Sequence, residues 1–135
     1  MREIKFRAWN KELKTMNPVS ALHFDKRKYN LMFIDSGWKH IPTKFELMQY
    51  TGLKDKNGVE IYEGDILHIK EFCDNEIDVE FISKVIFSNK NVFPSAFQLE
   101  EVRIIKGYAF ISQSGEIDSE VEIIGNIYEN SELIK

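Results

Sequence analysis

Residues 49–67 read Gln-Tyr-Thr-Gly-Leu-Lys-Asp-Lys-Asn-Gly-Val-Glu-Ile-Tyr-Glu-Gly-Asp-Ile-Leu, and no other stretch constrains the fold as strongly. Three glycines, Gly52, Gly58 and Gly64, each stand beside a polar turn-former: Thr51, Asn57 and Asp65. Asn57-Gly58 is a strong short-range turn signal, because both residues tolerate the positive φ of a tight turn. Leu53, Val59 and Ile61 supply apolar anchors on either side. Thr51-Gly52 and Asn57-Gly58 together read as a hairpin connection. Gly64-Asp65 reads as a second turn that releases the chain into Ile66-Leu67-His68-Ile69. The stretch is a junction of turns and short strands, which explains a shape and names no reaction.

The chain has 135 residues, a length that suits one domain with its own core. Its longest apolar runs, such as Leu31-Met32-Phe33-Ile34, fall far short of the roughly 20 residues that span a bilayer. The N-terminus alternates charged and apolar residues, unlike a signal peptide. The single cysteine, Cys73, excludes an intrachain disulfide and fits a reducing compartment. A cytoplasmic protein without a membrane partner is expected.

Charge is unevenly distributed. Residues 1–58 carry 12 Lys and Arg against 6 Asp and Glu, a net of +6, whereas residues 59–135 carry 6 against 16, a net of −10. Either the two halves complement each other within one chain, or the basic half meets the acidic half of another copy or a nucleic acid.

Short strands fill the rest. Residues 4–9 alternate apolar and basic side chains, residues 10–14 read as a turn, and Pro18 predicts a bend or an edge. Residues 21–34 read as a hairpin around the basic loop Asp25-Lys26-Arg27-Lys28. Residues 44–50 read as a strand, with two helical turns as the alternative. Residues 71–75 read as a loop, residues 76–81 and 84–88 as separate strands, and Gly125-Asn126 as a bulge in the last strong strand. Pro94 limits residues 92–97 to an irregular or edge role, Gly107 bends the strand that follows, and residues 131–134 suggest one helical turn. Helical periodicity is weak throughout. The fold expected is mainly β, of short antiparallel strands and hairpins, with a small barrel-like or partly open sheet in the second half and little helix. One domain over residues 1–135 would divide into a basic β part at 1–50 and an acidic, barrel-like β part at 51–135.

No catalytic set emerges. His23, His40 and His68 are scattered, and carboxylates around Cys73 disfavour a reactive thiolate. No paired-His or CxxC spacing suggests zinc. The in-line carboxylates Glu76, Asp78 and Glu80 fail the calcium-loop pattern, which makes a solvated strand face the favoured reading. Catalytic, metal and cofactor residues are therefore all assigned as none. A basic patch of Arg2, Lys5, Arg7, Lys26, Arg27 and Lys28 offers a nucleic-acid surface, with Trp9, Tyr29 and Trp38 available for stacking. The acidic second half argues against a broad footprint of that kind.

Three blocks resemble the YopX family of bacteriophage and prophage proteins. They are residues 2–9 (Arg-Glu-Ile-Lys-Phe-Arg-Ala-Trp), residues 48–58 running into 61–66, and residues 124–130 (Ile-Gly-Asn-Ile-Tyr-Glu-Asn). The resemblance implies a phage-encoded, mainly β, oligomeric protein of unknown activity, and it carries over no catalytic residue. The motif residues are Gln49, Tyr50, Thr51, Gly52, Asp55, Gly58, Tyr62, Glu63, Gly64, Asp65, Gly125, Asn126 and Tyr128, with Asn130 beside them. They serve either turn geometry and hydrogen bonding, the favoured reading, or a shared ligand surface. The function expected is a non-enzymatic interaction module that self-associates as a homo-oligomer. Nucleic-acid binding through the basic half is the alternative.

Overall fold

The computed structural model describes residues 3–25, 28–33, 37–40, 44–87, 97–106 and 118–135. The strands are β1 (Phe6–Asn10), β2 (Thr15–Asp25), β3 (Lys28–Phe33), β4 (Gly37–His40), β5 (Phe45–Lys54), β6 (Glu60–Tyr62), β7 (Asp65–Cys73), β8 (Glu76–Phe87), β9 (Phe97–Lys106) and β10 (Asp118–Asn126). One 3₁₀ turn follows at Ser131–Ile134. Two sheets result, ordered β4-β3-β2-β1-β5-β6 and β10-β7-β8-β9. The mainly β expectation holds.

The chain divides into two compact units, Met1–Gly52 and Leu53–Lys135. The first carries ten Lys and Arg against five Asp and Glu, a net of +5; the second carries eight against seventeen, a net of −9. The change of sign read along the sequence thus falls close to a structural boundary.

In the first unit, β1 lies between β2 and β5, antiparallel to both. Ala8 is fully buried, with Val19, Leu22, Phe45 and Leu47 packed against it. Trp9, Met48 and Tyr50 are buried as well. Residues 45–50 are strand rather than helix, because β1 pairs along them from Phe45 to Gln49. The β1–β2 turn forms as expected: Asn10 Oδ1 accepts from the amides of Glu12 and Leu13, both at 3.0 Å.

Pro18 does not interrupt β2. It pairs in register with Arg7, and β3 begins its pairing only at Val19. At Pro18 the strand has a neighbour on one side, so the missing N–H is tolerated. The hairpin expected over residues 21–34 is present, with Asp25 opposite Lys28.

In the second unit, Leu67, Ile69, Val79, Phe81 and Val85 alternate on one face of β7 and β8. They form a core with Ile61, against which Val121 and Ile123 pack. The four-stranded sheet is open among the described residues, with β10 and β9 at its edges. Of the two expected forms, the partly open sheet is the one present, and the barrel-like reading is corrected. The alternation of apolar residues is common to both forms, and only the pairing at the outer strands separates them.

Two further expectations change. Residues 71–75 are not a loop: β7 runs to Cys73 and β8 starts at Glu76. Asp74 and Asn75 alone connect them, at φ 50° and 66°. That is the backbone of a two-residue hairpin turn, and Asp and Asn tolerate the left-handed region. The two strands expected at 76–81 and from 84 onward join in one twelve-residue strand, β8. The readings at Pro94 and Gly107 lie outside the described residues, as do the side chains of Cys73 and Trp38.

Ser83 sits on the buried face of β8, fully buried, and its hydroxyl has no hydrogen-bond partner among the described residues. An unsatisfied buried hydroxyl costs about 1–3 kcal/mol. Ser83→Ala is therefore expected to leave stability unchanged or raise it, by up to about 1 kcal/mol after the lost volume is counted. Ile66→Ala, at a fully buried position, should instead lose roughly 2–5 kcal/mol. Urea denaturation of both variants checks the contrast.

Candidate functional site: the polar motif of the second unit

Residues 54–59 leave β5 and turn back toward β6. Gly58 N–H donates to Asp55 C=O at 3.0 Å, and Gly58 takes φ +80°. Asn57 is not among the residues with positive φ. This turn therefore uses one left-handed residue where the Asn-Gly pair suggested two. A Cβ on Gly58 would meet nothing within 4 Å, so its backbone angle alone calls for glycine.

Asp55 is the centre of the turn and is only 8% exposed. Its Oδ1 accepts from the amides of Asn57 at 2.9 Å and Val59 at 3.0 Å. Its Oδ2 accepts from the amide of Ile123, at 3.1 Å, on β10. Burial pushes this carboxyl up. The donors from Ile123, Val59 and Asn57 outweigh burial and hold it below the ordinary aspartate value. Lys56 follows. Its N–H donates to Val121 C=O at 2.8 Å, and its Nζ lies 3.3 Å from Glu122 and 3.7 Å from Glu120.

The second turn works similarly. Tyr62 N–H donates to Asp65 Oδ2 at 2.8 Å, and Asp65 is 2% exposed. Gly64, at φ +85°, donates its N–H to Val85 C=O and accepts from Ile127 N–H, both at 2.9 Å. Half-buried Glu63 occupies the same turn. Asp65 and Asn126 are register partners across β7 and β10.

The last block closes on itself. Asn126 Oδ1 accepts from the amides of Tyr128 at 3.0 Å and Glu129 at 2.9 Å. Asn130 Oδ1 accepts from Asn126 N–H at 3.1 Å. A Cβ on Gly125 would lie 2.5 Å from that same Oδ1, so glycine is required here for space. The bulge expected near Gly125 is present: register shifts between Ile123 and Gly125, leaving Ile124 as the extra residue.

In the second unit, side-chain oxygens of Asp55, Asp65, Asn126 and Asn130 accept from main-chain amides, and of these four residues Asp65 and Asn126 face each other in register. Gln49, Tyr50, Thr51 and Gly52 belong to the first unit, on β5. Thr51-Gly52 is strand and not turn, with Gly52 at φ +88° inside β5. Tyr50 N–H donates to Lys5 C=O at 2.9 Å, and Lys5 Nζ stands 5.7 Å from the Tyr50 ring centre.

Of the basic patch, Arg2, Lys26 and Arg27 lie outside the described residues, and Lys28 is placed only as the start of β3. Lys5 pairs with Glu3 at 3.1 Å. Arg7 is half-buried on β1, between Pro18 and Met48 in register.

One pair escaped the sequence reading. His68 Nε2 lies 2.6 Å from Glu80 Oε1, joining β7 to β8, and both are half-buried. The sequence alone places Glu80 on a solvated acidic face. Only the β7–β8 register, which aligns His68 with Ile82 and Lys70 with Glu80, brings the two together. Among the described residues, no group of three or more His, Cys, Asp or Glu is placed to hold a metal ion. No helix among them is long and apolar enough to cross a membrane.

The family described as YopX protein matches residues 5–135. Among solved structures, the crystal structure of protein EF1440 from Enterococcus faecalis is similar over 100% of both chains, with a TM-score of 0.58 and 23% identity. A likeness at that identity carries the fold alone. No curated protein matches the chain.

Two predictions follow from these turns. Gly58→Ala should cost about 1–2 kcal/mol, the penalty of a left-handed alanine. Gly125→Ala should cost roughly 1–3 kcal/mol through overpacking, but little more in an Asn130→Ala background, because the clashing group is then gone. A double-mutant cycle by chemical denaturation measures that coupling. The second concerns pH. Because folding lowers the Asp55 pKa, its contribution is fully present above the unfolded value, about 3.9. It is lost as pH falls through the folded one. Thermal unfolding from pH 7 to pH 2 should show a smaller acid loss for Asp55→Asn than for the parent.

Proposed function

The chain belongs to the YopX protein family, and from that premise we propose that it is a cytoplasmic accessory protein of a phage or prophage, a non-enzymatic module that associates with copies of itself. The observation that carries this reading is the direction of the motif side chains. Asp55, Asp65, Asn126 and Asn130 accept hydrogen bonds from main-chain amides. Side chains so engaged build a scaffold and leave the chemistry of the surface to other residues. A general base or nucleophile needs a lone pair directed toward a substrate.

The charge distribution supports the association. A unit of net +5 and a unit of net −9 on one chain let the basic unit of one copy meet the acidic unit of the next. Such a head-to-tail contact closes into a ring or extends, depending on its rotation. The nucleic-acid alternative is weaker, because Lys5, just before β1, pairs with Glu3, and Arg7 on β1 is half-buried.

Light scattering across salt concentration tests the reading. A mass above that of the monomer is expected at low salt. It should fall toward the monomer at about 1 M salt, where charges are screened beyond ~3 Å. A strict monomer at both ends overturns the self-association. In parallel, anisotropy titrations at low salt with labelled single- and double-stranded DNA and RNA should show no binding. Binding that weakens steeply with salt would establish the alternative.

A further inference from the structure

We propose that the turn at residues 55–59 is a guard on the outer edge of β10, built to stop a further strand, above all β10 of a second copy, from adding there. This goes beyond the charge-driven contact and is independent of it. Among the described residues, β10 is an edge strand that pairs with β7 on one side. Along an edge strand, alternate residues turn their N–H and C=O outward, a ready template for another strand. On β10 these include Val121 and Ile123. The turn meets both: Lys56 N–H donates to Val121 C=O, and Asp55 Oδ2 accepts from Ile123 N–H. Lys56 Nζ then lies across Glu120 and Glu122 on the same strand. Main-chain donor and acceptor sites that an incoming strand would use are thus already occupied.

The opposite edge of the same sheet is blunted by different means. Register between β8 and β9 shifts twice, leaving Val102 and Ile105 of β9 as extra residues. Bulges twist an edge away from regular pairing. β10 is regular from Asp118 to Ile123, with one bulge only beyond Ile123. The regular edge is the one that carries the clasp.

The test is done at about 1 M salt, where charge-driven association is screened. In the parent, the Ile123 amide should exchange with solvent as slowly as the paired amides of β7. Rapid exchange there overturns the clasp. Asp55→Asn keeps one carbonyl oxygen for the Asn57 and Val59 amides but turns an NH₂ donor toward Ile123. It should speed Ile123 exchange by about tenfold or more through local opening, and sedimentation should show dimers or larger species. Ile123→Pro removes an N–H that faces away from β7, so the β7 ladder stays intact. Adding it to Asp55→Asn should restore the parent's mass. Asp55→Asn that keeps the parent's mass while Ile123 exchanges fast overturns the guard, as does association that survives Ile123→Pro. Failure of the salt-dependent assembly would leave these outcomes unaffected.

Discussion

The second unit depends on one carboxylate. Asp55 accepts three main-chain amides with two oxygens while only 8% exposed. Two of those amides define its own turn, and the third belongs to a strand 68 residues later. A buried carboxylate without donors would be strongly disfavoured, and buried amides without an acceptor nearly as much. Each group removes the penalty of the other. No neutral side chain of similar size supplies two acceptor oxygens without bringing a donor with it, which is why the turn carries Asp.

The same logic recurs at the other two turns. Asp65 serves Tyr62, and Asn126 serves Tyr128 and Glu129. Gly64 links the main chain of β8 to that of residue 127. Polar residues that look like a binding constellation in sequence are, in the fold, the acceptors that let irregular backbone be buried.

Legibility in the sequence followed the range of each interaction. Asn57-Gly58, Gly64-Asp65 and the bulge near Gly125 were readable, because a positive φ or a tight turn is decided within four residues. The alternation of Ile77, Val79 and Phe81 was readable for the same reason, and it placed Val79 and Phe81 in the core. Of the two readings of Pro18, a bend or an edge, the edge holds locally, since β3 pairs with β2 only from Val19; which neighbouring strand is present is not a local property. The 71–75 loop misled because polar residues also occupy strand ends, and only Asp74 and Asn75 take turn angles.

By itself, then, the sequence determined the strand-rich class, the turns at Gly58 and Gly64, the change of charge along the chain and the family resemblance. Each of these is a property of composition or of a few consecutive residues. Tertiary structure alone decided that the second sheet is open among the described residues, that Asp55 reaches Ile123 and that His68 meets Glu80. Those outcomes rest on strand register, and a shift of one residue would send every side chain to the other face of its sheet. Register is set by the whole core packing at once, so no short stretch contains it.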